Sequence, residues 1–304
     1  MRTAREVASA VQATGLLPWD APVLVLFSGG RDSTCLLDLA VRLAGSTAAL
    51  HVNYGLRPDS DADEAHCRAL CAQLDVPLEV EHPQRPADAG NLQAWARDVR
   101  YGAAARRGVA VAAGHTASDQ AETVLYRLAA SPGRRALLGM SARDGRLVRP
   151  LLGVTRAETA AYCRERGLAW QEDASNASDA FARNRVRNQL LPALRAVHPA
   201  AEENVRRTAE LLREEAAVLD EVVAGVLDGR EEIELDRLAA LPPALARLVV
   251  RRLAEDAIGS AVPRAARRTE DVLALGADGA LDLGDGARAR VRAGMLSFEP
   301  TPAR

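Results

Sequence analysis

The chain has 304 residues and a formal net charge of -2, so bulk basicity does not indicate a nucleic-acid partner. Its four cysteines lack the CxxC spacing of a metal or redox site, which predicts core thiols in a reducing compartment. All 39 basic residues are arginine, so Schiff-base and lysine general-base chemistry are excluded. The N-terminus lacks an apolar signal region and no later apolar run could span a bilayer, which predicts a cytoplasmic protein with no membrane partner.

Strands and helices are predicted to alternate through the first half of the chain. Continuous apolar runs predict strands at residues 23–27, 48–54, 77–81 and 109–114. Helical periodicity predicts helices at 33–43, 61–74, 92–107 and 119–129. Apolar strands joined by helices are typical of a parallel sheet covered on both faces. The predicted fold class is therefore α/β, with a doubly wound parallel sheet.

The second half of the chain is predicted to be mainly helical. After residue 151 the strands are expected to stop, and helices are predicted at 155–166, 181–197 and 200–227. The tail LDLGDGARARVRAGMLSFEP alternates apolar and polar residues between glycines, which predicts a hairpin. The length suits two domains, and we predict their boundary near His198 and Pro199, with domains at 1–200 and 201–304.

The stretch LVLFSGGRDSTCLLDLA, from Leu24, places two glycines and an aspartate between a buried strand and a helix. Glycines without a Cβ let backbone N–H groups converge on an anion, and the helix adds the positive end of its dipole. Residues 28–33 are therefore predicted to cradle phosphate, the alternative being a tight turn with a helix cap. The loop is neither a Walker A motif, which needs lysine, nor the dinucleotide fingerprint G-x-G-x-x-G.

This loop resembles the pyrophosphate loop of the N-type ATP pyrophosphatases, the PP-loop superfamily, whose fold is adenine nucleotide alpha hydrolase-like. Further segments between about residues 22 and 200 follow the order of one member family and are similar to the tRNA(Ile)-lysidine synthases. They read HVNYGLRPDSDADEAHC from His51, NLQAWARDVRY from Asn91, GHTASDQAETVLYRL from Gly114, LVRPLLGVTRAE from Leu147, WQEDASN from Trp170 and FARNRVRNQLLPAL from Phe181.

The resemblance implies a ligase that uses ATP and Mg²⁺. In that family ATP adenylates O2 of the wobble cytidine in a tRNA(Ile) with a CAU anticodon, and free lysine then displaces AMP. Pyrophosphate and AMP are the by-products, and the modified base is lysidine. Residues 1–200 would form the catalytic domain and residues 201–304 a mainly helical domain that binds tRNA. The oligomeric state stays open between monomer and homodimer.

The same resemblance assigns site residues. Asp119 and Glu122 lie three residues apart, so they share one helix face and could pair with the lysine ammonium. The catalytic set is Asp32, Asp119, Glu122 and Arg100, with Asp32 and Asp119 as Mg²⁺ ligands. The ATP set is Ser28, Gly29, Gly30, Arg31, Asp32, Ser33, His51, Arg97 and His115. The tRNA set is Arg134, Arg135, Arg183, Arg185 and Arg187, the alternative for these arginines being solvated helix charges.

Three departures from the family pattern bear on function. Tyr54 stands where histidine is usual, Ser118 replaces the first aspartate of a DD pair, and ASPGRRALLGM from Ala130 replaces a glycine-rich loop. We expect Ser118 to cap its helix, and its missing charge predicts weaker binding of Mg²⁺ or lysine. Two alternatives remain: a PP-loop tRNA thiolase, for which a CxxC pair is lacking, and a non-catalytic nucleotide- or RNA-binding paralogue.

Overall fold

The computed structural model describes residues 1–56, 58–86, 92–131, 133–172 and 182–302. The chain divides into two compact units, Met1–Leu212 and Arg213–Arg304. The predicted boundary near residue 199 is therefore displaced, and the division falls inside a helix. The reason is local packing, because Val205 packs against a hydrophobic cluster of the first unit, whereas Val223 and Leu227 belong to the core of the second.

The first unit is built on a six-stranded sheet with the order β3-β2-β1-β4-β6-β5. Neighbouring strands are parallel except at the edge, where β5 runs antiparallel to β6. The short pair β5 and β6 was not predicted. The strands are β1 Pro22–Leu26, β2 Ser46–Val52, β3 Leu78–Glu81, β4 Ala110–Ala112, β5 Arg143–Asp144 and β6 Leu147–Val148.

Helices cover this sheet, and the predicted ones are present to within about two residues at each end. The N-terminal helix was not predicted; Thr3 and Glu6 form its capping box, and Val7 and Val11 are buried. The helices are α1 Ala4–Gln12, α2 Arg31–Leu43, α3 Ser60–Gln73, α4 Leu92–Ala105, α5 Ala117–Ala130, α6 Arg134–Leu137, α7 Arg156–Glu165, α8 Ala182–Arg185, α9 Leu191–Val197 and α10 Ala201–Leu227, with a π-helical turn Val186–Leu190 before α9. Phe181, the predicted start of one helix, lies outside the described residues.

Alternate residues of β1 belong to different hydrophobic clusters. Val23 and Val25 pack in one cluster, whereas Leu24 and Leu26 pack in the other. Successive side chains of a strand point to opposite faces of the sheet, so both faces are buried. A strand buried on both faces needs a continuous apolar run, as PVLVL provides. The doubly wound parallel sheet predicted from the sequence is confirmed.

The second unit combines helices with an antiparallel sheet of order β7-β10-β9-β8. This unit has more helix than strand, as predicted. The predicted tail hairpin is instead a three-stranded meander. The alternation of apolar and polar residues continues through a third strand, and both turns have residues with positive φ. Its elements are β7 Ile233–Glu234, α11 Leu235–Ala239, α12 Pro243–Ile258, a 3-10 turn Ala265–Arg268, α13 Thr269–Leu273, β8 Gly279–Gly284, β9 Ala287–Arg292 and β10 Met295–Pro300. No helix in the described part of the chain is long and apolar enough to cross a membrane.

Candidate active site

The loop after β1 is held by its own serines. Ser33 Oγ lies 3.3 Å from the backbone nitrogen of Ser28, from which it accepts, and donates to the carbonyl of Gly30 at 2.8 Å. Gly29 has φ +77°, and a Cβ there would stand 3.0 Å from Cys67 Sγ, so the position requires glycine. Gly30 supplies no capping side chain to α2. The N-terminus of α2 is thus available to an anion at the end of the sheet.

The chain after β4 approaches this loop closely. A Cβ on Gly114 would lie 3.2 Å from the carbonyl carbon and oxygen of Asp32 and from the nitrogen of Ser33. Backbone atoms cannot move aside as a flexible side chain can. Glycine at 114 therefore lets the start of α5 stand beside the start of α2, which brings Asp119 to the same cleft as Asp32.

Both helix starts open into one cleft of about 650 Å³ at the carboxyl ends of the central strands. Most of the predicted site residues line it: Ser28, Gly30, Arg31, Asp32, Ser33, His51, Arg100, His115, Asp119, Arg183 and Arg187. The walls also include residues that were not predicted to belong to the site: Tyr54, Tyr101, Arg156, Trp170, Gln171 and Glu172. The predicted residues thus come from helices, a strand and loops that lie far apart in the chain.

Arg156, in the first turn of α7, contacts three carboxylates. Its Nη2 is 2.8 Å from Asp119 Oδ1, its Nη1 is 2.9 Å from Glu122 Oε1, and its Nε is 3.8 Å from Asp32 Oδ2. Only 23% of its side chain is exposed. Thr159, one turn further along α7, donates its hydroxyl to Asp32. The start of α7 therefore ties the loop after β1 to the acidic face of α5.

Glu122 is fully buried and held by arginines of the chain segment 182–190 as well. Arg187 donates from Nε at 2.8 Å and from Nη2 at 3.1 Å, and Arg183 Nε stands 3.5 Å away. A buried carboxylate is stable only when cations and hydrogen bonds compensate its charge. Glu122 is thus not part of the cleft lining, and it contacts these arginines from a buried position.

The N-cap of α5 is Thr116 and not Ser118, so that prediction was wrong. Thr116 and Asp119 form a capping box: Asp119 Oδ2 accepts from the Thr116 nitrogen and hydroxyl, each at 2.8 Å. The sequence does contain the pattern of this cap, because Thr116 and Asp119 have the T-x-x-D spacing of a capping box. Ser118 Oγ instead accepts the backbone N–H of Arg156 at 3.3 Å. It therefore joins α5 to α7.

Burial and charge shift the titration of the cleft groups. Burial raises the pKa of Asp119, but the positive charges of Arg156 and Arg183 outweigh it, so the net pKa lies below the ordinary aspartate value. Burial lowers the pKa of His115 to about 4, and burial also lowers the pKa of His51. His51 Nδ1 lies 2.9 Å from the carbonyl oxygen of Phe27. Both imidazoles are therefore neutral at pH 7.

Tyr54, one of the departures, links β2 to α4. Its hydroxyl donates to the carbonyl of Ala96 at 2.8 Å and accepts from Arg100 Nε at 3.2 Å, and its ring makes an edge contact with Trp95. Tyrosine therefore holds Arg100 at the cleft. Arg97 lies outside the cleft lining, with its guanidinium 4.7 Å from the ring centre of Tyr101.

The remaining predicted arginines are not part of the cleft. Arg134 and Arg135 begin the short helix α6, and Arg185 ends α8 on an exposed face. The third departure, the segment from Ala130 to Met140, is held at its end by Gln120, whose side chain pairs with both backbone groups of Met140. The structure thus places the predicted tRNA set at two locations: Arg183 and Arg187 in the cleft, and the other three outside it.

Asp32 and Asp119 suit a Mg²⁺ ion that is shared with phosphate oxygens. Both carboxylates face one cation, the guanidinium of Arg156, so they converge on a common position. Mg²⁺ is commonly bound by one or two carboxylates, with substrate phosphates and waters completing its shell. Among the residues that the structure describes, no group of three or more His, Cys, Asp and Glu side chains could hold a metal ion unaided.

A family model described as a PP-loop domain matches residues 3–194, more than half of the chain. Fold and site thus define a PP-loop protein. Curated tRNA(Ile)-lysidine synthases are similar in sequence: 44% identical over 210 residues in Pseudomonas fluorescens and 41% over 242 residues in Nocardia farcinica. The first match covers 65% of this chain and 47% of that relative, the second 77% and 76%. The chain therefore belongs to the tRNA(Ile)-lysidine synthase family of PP-loop proteins, as the sequence resemblance predicted.

The lengths of the relatives differ. The chain spans about half the length of the Pseudomonas proteins, 47% and 54% in two of them, and 78% of a 40% identical relative from Gloeobacter violaceus. Among solved structures, the U34-tRNA thiolase NcsA from Methanococcus maripaludis is similar, with a TM-score of 0.58 at 18% identity over 69% of this chain and 78% of that one. At that identity the likeness concerns the fold alone.

Proposed function

We propose that this chain is an ATP-dependent ligase that adenylates the wobble cytidine of tRNA(Ile) with a CAU anticodon and then joins free lysine to it. The observation that carries the proposal is the convergence of Asp32 and Asp119 beside the α2 N-terminus in one arginine-lined cleft. Curated relatives that bear the name tRNA(Ile)-lysidine synthase support the choice of substrate. We place the enzyme in the cytoplasm.

The phosphates of ATP would occupy the loop after β1. Backbone N–H groups at the start of α2 and the helix dipole favour an anion there. Arg100, Arg183 and Arg187 line the same cleft and would neutralise charge on the triphosphate and on the departing pyrophosphate. Asp32 and Asp119 would hold Mg²⁺ against the phosphate oxygens, and the ion would supply charge neutralisation at the leaving group.

The acidic face of α5 would receive the lysine amine. Free lysine carries an ammonium at neutral pH, and such a group needs a carboxylate to bind it. Asp119 and Glu122 present two carboxylates within reach of one cation. Asp119 is the carboxylate of this pair that lines the cleft, so it would hold the ammonium there before the amine loses a proton and attacks the adenylated base.

Sulfur transfer, the alternative within the superfamily, finds little support in the cysteines. All four are buried and free of disulfides. Burial raises the pKa of Cys67 to about 12 and that of Cys71 to about 11. A thiol is nucleophilic as the thiolate, which these values suppress at neutral pH. The non-catalytic alternative rested on Tyr54 and Ser118, and both side chains have structural partners that leave Asp32 and Asp119 in the cleft.

The test is incorporation of radiolabelled lysine into RNA. The purified chain is incubated with ATP, Mg²⁺, labelled lysine and transcripts of tRNA(Ile) with a CAU anticodon, and acid-insoluble label is counted. A transcript with a GAU anticodon is the matched control, because it lacks the wobble cytidine. Asp32→Ala is expected to lose both incorporation and pyrophosphate release while its circular dichroism stays unchanged. Absence of label with the wild-type chain, or equal label on both transcripts, would refute the proposal.

A further inference from the structure

Arg156 occupies the position between the phosphate loop and the acidic face of α5. It is one of three arginines that contact Glu122, and its Nε also lies 3.8 Å from Asp32 Oδ2. Under the proposed function the lysine ammonium would bind the acidic face of α5, where the guanidinium of Arg156 already lies. The guanidinium is thus located where the proposed co-substrate would place its own cation.

The carboxylates of the cluster are already more than neutralised without a ligand, because four guanidiniums face three carboxylates. Three carboxylates, of Asp32, Asp119 and Glu122, stand against the guanidiniums of Arg31, Arg156, Arg183 and Arg187. Adding an ammonium to this set would place another cation beside Arg156, within a partly desolvated pocket where like charges repel strongly. Binding of the amine therefore requires that one resident cation leave its carboxylates.

We propose that Arg156 is a resident competitor for the amine position, and that lysine binds by displacing its guanidinium from Asp119 and Glu122. This inference rests on the proposed function, because it presupposes that lysine is the co-substrate. Arg156 is suited to move because it lines the open cleft and reaches the carboxylates from the first turn of α7. ATP phosphates offer the released guanidinium a new anionic partner in the same cleft.

The test is the affinity of the ATP-free chain for lysine, measured by titration calorimetry. Arg156→Gln is expected to bind lysine about tenfold more tightly than wild type, because a competing charge-assisted hydrogen-bond pair is removed. Arg5→Gln, which removes an exposed arginine of α1, is the charge-matched control and is expected to match wild type. Arg156→Lys keeps a positive charge beside buried Glu122, so it preserves the test if the glutamine variant fails to fold. Its one ammonium cannot bridge three carboxylates, and a smaller gain in affinity is expected.

A second measurement asks whether the two cations share one position. In Arg156→Ala, low concentrations of guanidinium chloride are expected to weaken lysine binding competitively, whereas wild type, with its own guanidinium in place, is expected to be insensitive. Equal lysine affinity in wild type and both charge variants, or no competition by guanidinium, would overturn the inference. If wild type still incorporates lysine into tRNA, that result leaves the proposed function standing. If no variant binds lysine and wild type incorporates none, both fail.

Discussion

At the scale of single residues, the cleft depends on positions where a side chain is missing. Gly114 stands against the backbone of Asp32 and Ser33, and Gly29 against Cys67 and His66. Arg156 illustrates the opposite case, a residue whose side chain reaches three partners on two other helices. Glycine at 114 thus allows the starts of α2 and α5 to approach, and the side chain of Arg156 forms ion pairs with carboxylates of both helices.

We predict that Gly114→Ala weakens ATP binding. The new Cβ would lie 3.2 Å from three backbone atoms of the phosphate loop, so the loop has to shift, and the free energy of unfolding is expected to fall by about 1–3 kcal/mol. Gly102→Ala in α4 is the control, because a Cβ there has no neighbour within 4 Å. Titration of both variants with ATP checks this. Equal affinity for ATP in the two variants would contradict the role given to Gly114.

At the scale of elements, helix starts position the side chains that the proposed chemistry would use. The helices α5 and α7 both begin with a capping box, Thr116 with Asp119 and Thr155 with Glu158. In α5 the capping aspartate is also the proposed Mg²⁺ ligand. Its Oδ2 accepts from the cap and its Oδ1 from Arg156. The cap therefore fixes the carboxylate that the chemistry would use.

The cap assignment can be tested by a double-mutant cycle. Thr116→Ala is expected to cost about 1–2 kcal/mol of unfolding free energy. Combined with Asp119→Ala, the two effects are expected to be non-additive by about 1 kcal/mol, because the residues exchange hydrogen bonds. Thr116→Ala with Ser118→Ala is expected to be additive. Urea denaturation measures all variants, and coupling in the second pair but not in the first would restore Ser118 as the cap.

A second element-scale prediction concerns pH. The hydrogen-bonded ion pair with Arg2 lowers the pKa of Glu158 to about 2, from an ordinary value of 4.5, against the opposing effect of burial. The folded chain holds this carboxylate ionised, so its stabilisation is complete above about pH 4.5 and is lost as the pH falls towards 2. The pair joins the N-terminal segment to α7 at 2.6 Å.

Glu158→Gln is therefore expected to lower the unfolding free energy by about 1–2 kcal/mol at pH 7. The difference from wild type is expected to shrink between pH 4.5 and pH 2, the interval between the ordinary and the lowered pKa. Asp20→Asn, at an exposed position, is the control. Urea midpoints at several pH values provide the measurement. A difference between Glu158→Gln and wild type that stays constant from neutral to acid pH would argue against the ion pair.

At the scale of the whole molecule, the two units have separate cores. The clusters of the first unit lie within Met1–Leu212, and the cluster that contains Val223, Val249 and Leu296 lies within the second. A core confined to one stretch of chain can form without the other. Truncation at the boundary between the two units is therefore expected to leave the core of each unit intact.

We predict that a fragment of residues 1–212 binds ATP as the full chain does but no longer discriminates among tRNAs. A fragment of residues 1–200 is expected to melt at a lower temperature, because it loses Val205 and the fully buried Ala209. Calorimetry, ATP titration and competition between tRNA(Ile) and other transcripts test the two fragments. Selective lysine incorporation by residues 1–212 would show that the second unit has another role.

The sequence by itself determined the four parallel strands β1 to β4, the loop that joins β1 to α2, and the family. Strand and helix periods are local, and parallel strands bring their carboxyl ends to one edge, so Asp32, Asp119 and His115 could be assigned to one cleft from spacing and resemblance. Local capping patterns also fixed the start of α7, where Thr155 and Glu158 mark the first turn.

Only the tertiary structure decided which charges meet. Arg156 contacts Asp119 and Glu122 across 37 and 34 residues of chain, and no period in the sequence encodes that pairing. It follows from the packing of α7 against α2, where Thr159 reaches Asp32. Tertiary packing also determined where the second unit begins, because α10 supplies Val205 to a cluster of the first unit and Val223 to the core of the second. Contacts between distant segments depend on the packing of side chains in three dimensions, which local pattern does not specify.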